Sequence, residues 1–142
     1  MKFQNFLAIL LLPFVNIGCS SMPQDYSGKG GMTAYTIKPE AYLYHYKNGF
    51  TGVDAIGWDP NLQYVWSRLG AAKTCGIKFD QDKTVEFLTK KFEAEKWVHE
   101  INGIGFHNNQ SKAIPGFCTD EKLKELSERL PQFERGDFPK IY

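Results

Sequence analysis

Residues 59–76 read DPNLQYVWSRLGAAKTCG. Leu62, Val65, Trp66 and Leu69 recur there at i, i+3, i+4 and i+7, one apolar stripe along a helix of 61–73. Asp59 or Asn61 supplies an N-cap, Pro60 suits the first helical position, and Gly76, just after Cys75, suits the stop. The same period returns downstream. Asp80 or Asp82 caps a long helix reaching about residue 102. Its stripe is Val85, Leu88 and Phe92, continued by Ala94, Trp97, Val98 and Ile101. Lys90, Lys91, Glu93, Glu95 and Lys96 fall on its solvated face. A third helix starts at the Thr119 cap, with Asp120 and Glu121 in the favourable first turn. Leu123, Leu126 and Leu130 form its stripe, and Pro131 is expected to stop it.

Outward from these helices the signals weaken. Residues 32–50 (MTAYTIKPEAYLYHYKNGF) carry Pro39 and Asn48-Gly49 as helix boundaries, while Tyr42, Tyr44 and Tyr46 alternate in a way that suits a strand. The boundary signals favour a helix. Residues 51–60 contain Gly52, Gly57 and Pro60 and read as a loop. Residues 105–116 read as a polar loop anchored by Phe106, Ile114 and Phe117, and the tail to 142 as irregular. The expected fold is therefore mainly α, a three- or four-helix bundle formed by residues 32–142 as a single domain.

The first eighteen residues are of another kind. Lys2 is followed by FLAILLLPFV at 6–15, an uncharged apolar run of about ten residues, too short to cross a core of roughly 30 Å. It reads as the h-region of a signal peptide over 1–18. The run ends in Asn16-Ile17-Gly18-Cys19-Ser20-Ser21. A small residue followed by cysteine at this point resembles the lipobox of bacterial lipoproteins. Gly18 and Cys19 match that pattern; Asn16 departs from the usual aliphatic residue. The resemblance covers about twenty residues. It implies cleavage before Cys19 and a lipid on its thiol, hence attachment to a membrane, and Ser20 implies an outer-membrane destination in a Gram-negative host. The alternative is ordinary cleavage that leaves a plain cysteine. Residues 19–31 (CSSMPQDYSGKGG) are rich in Ser and Gly and read as a flexible tether.

With Cys19 acylated, Cys75 and Cys118 remain. In an oxidising compartment two such cysteines are expected to pair, closing a loop of about 44 residues for which chain entropy gives about 4 kcal/mol. The alternative is two separate buried thiols. Neither sits in a CxxC pair, and no zinc-ligand spacing is present. No GxSxG elbow or phosphate-binding glycine loop occurs. Without Lys2 the mature part carries equal numbers of basic and acidic side chains, which argues against nucleic acid as partner. No cofactor is called for.

These features favour a non-enzymatic, lipid-anchored envelope domain that binds another protein, with an immunity or exclusion lipoprotein as one form. Tyr35, Tyr42, Tyr44, Tyr46, Phe50 and Trp58 cluster in about 25 residues and are the first choice for a binding surface, against core packing as the plainer explanation. Two other readings stand beside it. One is an envelope-modifying enzyme using His99 or His107 with a carboxylate; the other is a structural envelope component.

Overall fold

The computed structural model describes residues 26–33, 37–55, 57–98 and 103–142. Six helices follow one another in these residues: α1 (Pro39–Asn48), α2 (Pro60–Thr74), α3 (Gln81–Lys91), α4 (Ala94–Val98), α5 (Gly103–Lys112) and α6 (Asp120–Phe133). A single 3₁₀ turn, Val53–Ala55, lies between α1 and α2. Among the described residues no helix is long and apolar enough to cross a membrane.

Helix α2 is the axis of the bundle. The Asp59 carboxylate accepts from the backbone N–H of Asn61 (2.9 Å) and Leu62 (3.0 Å), so Asp59 is the cap and Pro60 opens the helix. At the other end Gly76 takes φ +69°, and Ile77 N–H and Gly76 N–H return to the carbonyls of Ala72 (2.9 Å) and Lys73 (3.3 Å). That 6→1 and 5→2 pair closes the helix as its glycine stop foretold. The stripe of Leu62, Val65 and Leu69 is fully buried, and Gln63, Tyr64, Ser67, Arg68 and Gly70 around the remaining circumference are buried too. Helix α5 covers one side and α6 another, and α5 also touches α1.

The disulfide Cys75–Cys118, with Cα atoms 5.6 Å apart, joins the end of α2 to the approach of α6, as cysteine counting led one to expect. Beside it Phe117 enters the core. Helix α1 occupies 39–48 as its boundary signals required, ending where Gly49 takes φ +97°.

Three expectations are corrected. The long helix to residue 102 is broken: Phe92 is extended, at φ −108° and ψ 141°, and its ring lies 6.4 Å from that of Phe138. Past the break, α4 carries the Lys96 ammonium to 2.8 Å from the Asp59 carboxylate at the start of α2. The segment expected as a polar loop at 105–116 is mostly helix α5. Its buried face, Ile104, His107 and Ser111, keeps helical spacing in side chains that are not all apolar. Pro131 does not stop α6, which runs on to Phe133; Phe133 is fully buried against Tyr64 and Phe138, and that packing outweighs the lost backbone bond.

The described part of the expected tether, 26–31, is docked rather than free. Lys38 N–H donates to Gly31 O at 2.8 Å, Met32 pairs with Ile37 in an isolated antiparallel bridge, and the Tyr26 ring stands 5.2 Å from that of Tyr44.

Candidate functional site

The expected binding aromatics separate into different environments. Tyr42 and Phe50 are fully buried and Tyr46 nearly so; they build the core against Phe117 and His107. Tyr44 is 36% exposed. Trp58 is half-buried, with Phe106 edge-on at 5.6 Å. Tyr35, Cys19 and His99 lie outside the described residues.

His107 is a core residue. Its Nε2–H donates to Gln63 Oε1 at 2.5 Å, which leaves Nδ1 to accept from the Tyr42 hydroxyl at 3.0 Å. Burial, aided by the nearby Arg68 charge, pushes its pKa down to about 3, so the ring is neutral at ordinary pH. Its hydrogen-bond partners hold no carboxylate, so the histidine–carboxylate pair expected of an enzyme is not formed here.

A different histidine does meet a carboxylate, one that sequence reasoning passed over. His45 Nδ1 faces Gly49 O at 2.9 Å; a carbonyl only accepts, so Nδ1 carries the proton. His45 Nε2 lies 3.2 Å from the Tyr26 hydroxyl and 3.8 Å from Asp54 Oδ2, and the Tyr26 hydroxyl donates to Asp54 Oδ2 at 2.5 Å. That bond holds the Asp54 carboxyl below the usual range, while burial and the same bond raise the Tyr26 phenol. His45 and Asp54 are both buried. The Tyr26 hydroxyl, Asp54 Oδ2 and His45 Nε2 together fasten Tyr26 onto α1 and the 3₁₀ turn.

An open concavity lies elsewhere among the described residues, between α1, α2 and α6. This cleft of about 270 Å³ is lined by Leu43, Tyr46, Lys47, Arg68, Glu121, Lys122 and Glu125. Leu43, Tyr46 and Lys47 share one face of α1 at i, i+3 and i+4. Glu121, Lys122 and Glu125 stand on the first turns of α6. Arg68, only 5% exposed, projects from α2 between two rings: its guanidinium carbon is 4.1 Å from the Tyr46 centroid and 4.0 Å from that of Tyr64. Arg68 Nε donates to Glu125 Oε1 at 2.8 Å, and Nη1 to Ser67 Oγ at 3.1 Å. Two aromatic faces and a carboxylate together stabilise a cation that burial alone would disfavour. Lys122 Nζ lies 5.0 Å from the Phe117 ring, and burial pushes its pKa down. Of the expected surface aromatics, Tyr46 is the one that lines this cleft. The clue in the sequence was Arg68 four residues after Tyr64 in a helix whose apolar stripe is Leu62, Val65, Trp66 and Leu69.

Among the described residues, no three His, Cys, Asp or Glu side chains are grouped so as to hold a metal ion. Comparisons of the chain with protein-family models, with curated proteins and with solved structures found no match.

Proposed function

We propose that this chain is an exported envelope protein, anchored by a lipid on Cys19, whose domain binds another protein through the Arg68 cleft. The observation that carries the binding half is the guanidinium stacked between Tyr46 and Tyr64 in the wall of an open cleft. Arginine and tyrosine, desolvated and already held in one conformation, are the residue types on which interface energy concentrates. Lys47 and Lys122 at the rim offer cations to a partner carboxylate. Two observations support the export half. The apolar run at 6–15 ends in Gly18-Cys19, and the other two cysteines form a bond that an oxidising compartment preserves. An immunity or exclusion lipoprotein, which masks an incoming toxin or phage component near the membrane, is a specific form of this reading.

The test has two arms. Mass spectrometry of the protein purified from membranes should find Cys19 as the first residue, carrying acyl chains; an unmodified Cys19 removes the anchor from the reading. A photo-crosslinking residue at Lys47 should give one discrete adduct in cells, where the same residue at Lys83 on α3 gives none. Equal labelling from the two positions would remove the cleft.

A further inference from the structure

We infer that the surface around Tyr26, where Tyr44 and Val53 are exposed, rests on the lipid bilayer, with the Arg68 cleft left open to a partner. The inference depends on acylation of Cys19 and deepens that reading. It starts from the fastening of Tyr26. The Tyr26 hydroxyl is bound to Asp54 and His45, its ring packs edge-on against Tyr44, and the Gly28 backbone lies on the Tyr44 ring. Tyr26 is therefore fixed to the domain. Seven peptide steps separate Tyr26 from Cys19, and seven steps span at most ~25 Å in any conformation. A lipid on Cys19 thus holds the Tyr26 region within a leash shorter than the hydrocarbon thickness of the bilayer, roughly 30 Å.

Apolar exposure is found at that place. Val53 is 88% exposed, next in sequence to the buried Asp54 that binds Tyr26. Tyr44, 36% exposed, packs on Tyr26 itself and belongs to the residue type that favours the bilayer interface, with its ring apolar and its hydroxyl wet. Two such side chains would not retain a free domain at a membrane. On a short leash the second contact becomes intramolecular, and a weak apolar contact is then populated. Leu43 and Tyr46, which line the cleft, lie on a different face of α1 from Tyr44, and Lys47, three residues after Tyr44, stands at the border of the two surfaces.

The experiment uses the acylated protein reconstituted in phosphatidylethanolamine–phosphatidylglycerol vesicles containing a nitroxide-labelled lipid. With Cys75 and Cys118 paired and Cys19 acylated, Val53→Cys supplies a single thiol for a fluorophore, and Lys83→Cys on α3 supplies a second position. Quenching at 53 should exceed that at 83 several-fold, and Tyr44→Asp should lower the signal at 53 toward that at 83. Equal quenching at both positions, or none at 53, in protein whose acyl mass is verified would overturn this orientation alone. Protein without an acyl group would overturn the orientation and the anchored reading together.

Discussion

Gly70 of α2 faces the Cβ of His107 on α5 so closely that a methyl group built on Gly70 would lie 2.5 Å from it, and 2.6 Å from Asn108 N. One turn on, Thr74 Oγ1 lies 2.9 Å from Asn108 Oδ1 and 2.5 Å from Ser111 Oγ, so small and hydroxylic side chains knit the same crossing. Backbone stands on the far side of the contact and cannot swing away. Gly70→Ala should destabilise the fold by about 2 kcal/mol or more, read from the urea midpoint, because helix–helix separation must grow. Gly76→Ala is the control: it meets open space and carries only the left-handed backbone penalty, about 1 kcal/mol.

The Cys75–Cys118 bond closes a loop that contains α3, α4 and α5. Reduction, or Cys75→Ser with Cys118→Ser, should lower unfolding free energy by about 4 kcal/mol in the chain-entropy account. Urea unfolding with and without reductant measures it. A shift under about 1 kcal/mol would mean that the reduced denatured chain stays compact in this region.

His107 makes stability depend on acid. Its folded pKa of about 3 lies below the ordinary 6.5, so between these values the unfolded chain binds the proton that the folded chain refuses. Stability should therefore fall as pH drops from 6.5 toward 3, by up to about 1.4 kcal/mol per pH unit. His107→Gln, which keeps a donor toward Gln63, should flatten that part of the profile while leaving the further loss below about pH 4, where the unfolded chain's Asp54 takes up a proton that the folded carboxylate still refuses. Denaturation midpoints taken from pH 7 to 4 decide this; parallel profiles for the two proteins would refute it.

Arg68 and Glu125 form a pair whose two members are unequal. Arg68 is buried, whereas the Glu125 side chain is 29% exposed. Glu125→Ala leaves a guanidinium held only by Ser67 and two rings, and should cost about 2 kcal/mol. Arg68→Lys should cost a similar amount, because an ammonium reproduces neither the planar stack nor the Nε contact. A double-mutant cycle with Glu125→Ala and Arg68→Lys should show coupling of at least 0.5 kcal/mol; strict additivity would place the stabilisation in the tyrosines alone.

The sequence made some of this legible and hid the rest for identifiable reasons. Leu62, Val65 and Leu69 announce α2 because aliphatic residues at helical spacing have one physical reading, and two leftover cysteines announce their bond. Helix α5 was hidden because its buried face is Ile104, His107 and Ser111, whose polar members are satisfied by Tyr42, Gln63 and Thr74 from other helices. The break at Phe92 was hidden because the ring that Phe92 lies beside, Phe138, is distant in sequence. The tyrosines between 42 and 46 could not be sorted into core and surface by spacing alone; Arg68 and Tyr26, far away in sequence, decide which face of α1 is covered. The cleft was out of reach for the same reason, since α1, α2 and α6 each contribute only part of it.

Tyr26 is the residue through which a segment of low intrinsic order becomes part of the domain. Its hydroxyl binds Asp54 and His45, and these contacts bridge 28 and 19 residues of sequence. Tyr26→Phe keeps the ring against Tyr44 and removes only the hydroxyl, leaving the buried Asp54 carboxylate without its shortest donor. Global stability should fall by about 1–2 kcal/mol, the cost of a charge-assisted bond with one partner left behind. The local effect should be larger than the global one. Amides of 26–31 should exchange faster relative to α2, and a protease should cut the segment in the variant under conditions where the wild type is intact. If exchange in 26–31 is unchanged while α2 loses protection, the hydroxyl supports the core and not the segment, and the short leash from Cys19 would have to be measured from a later residue.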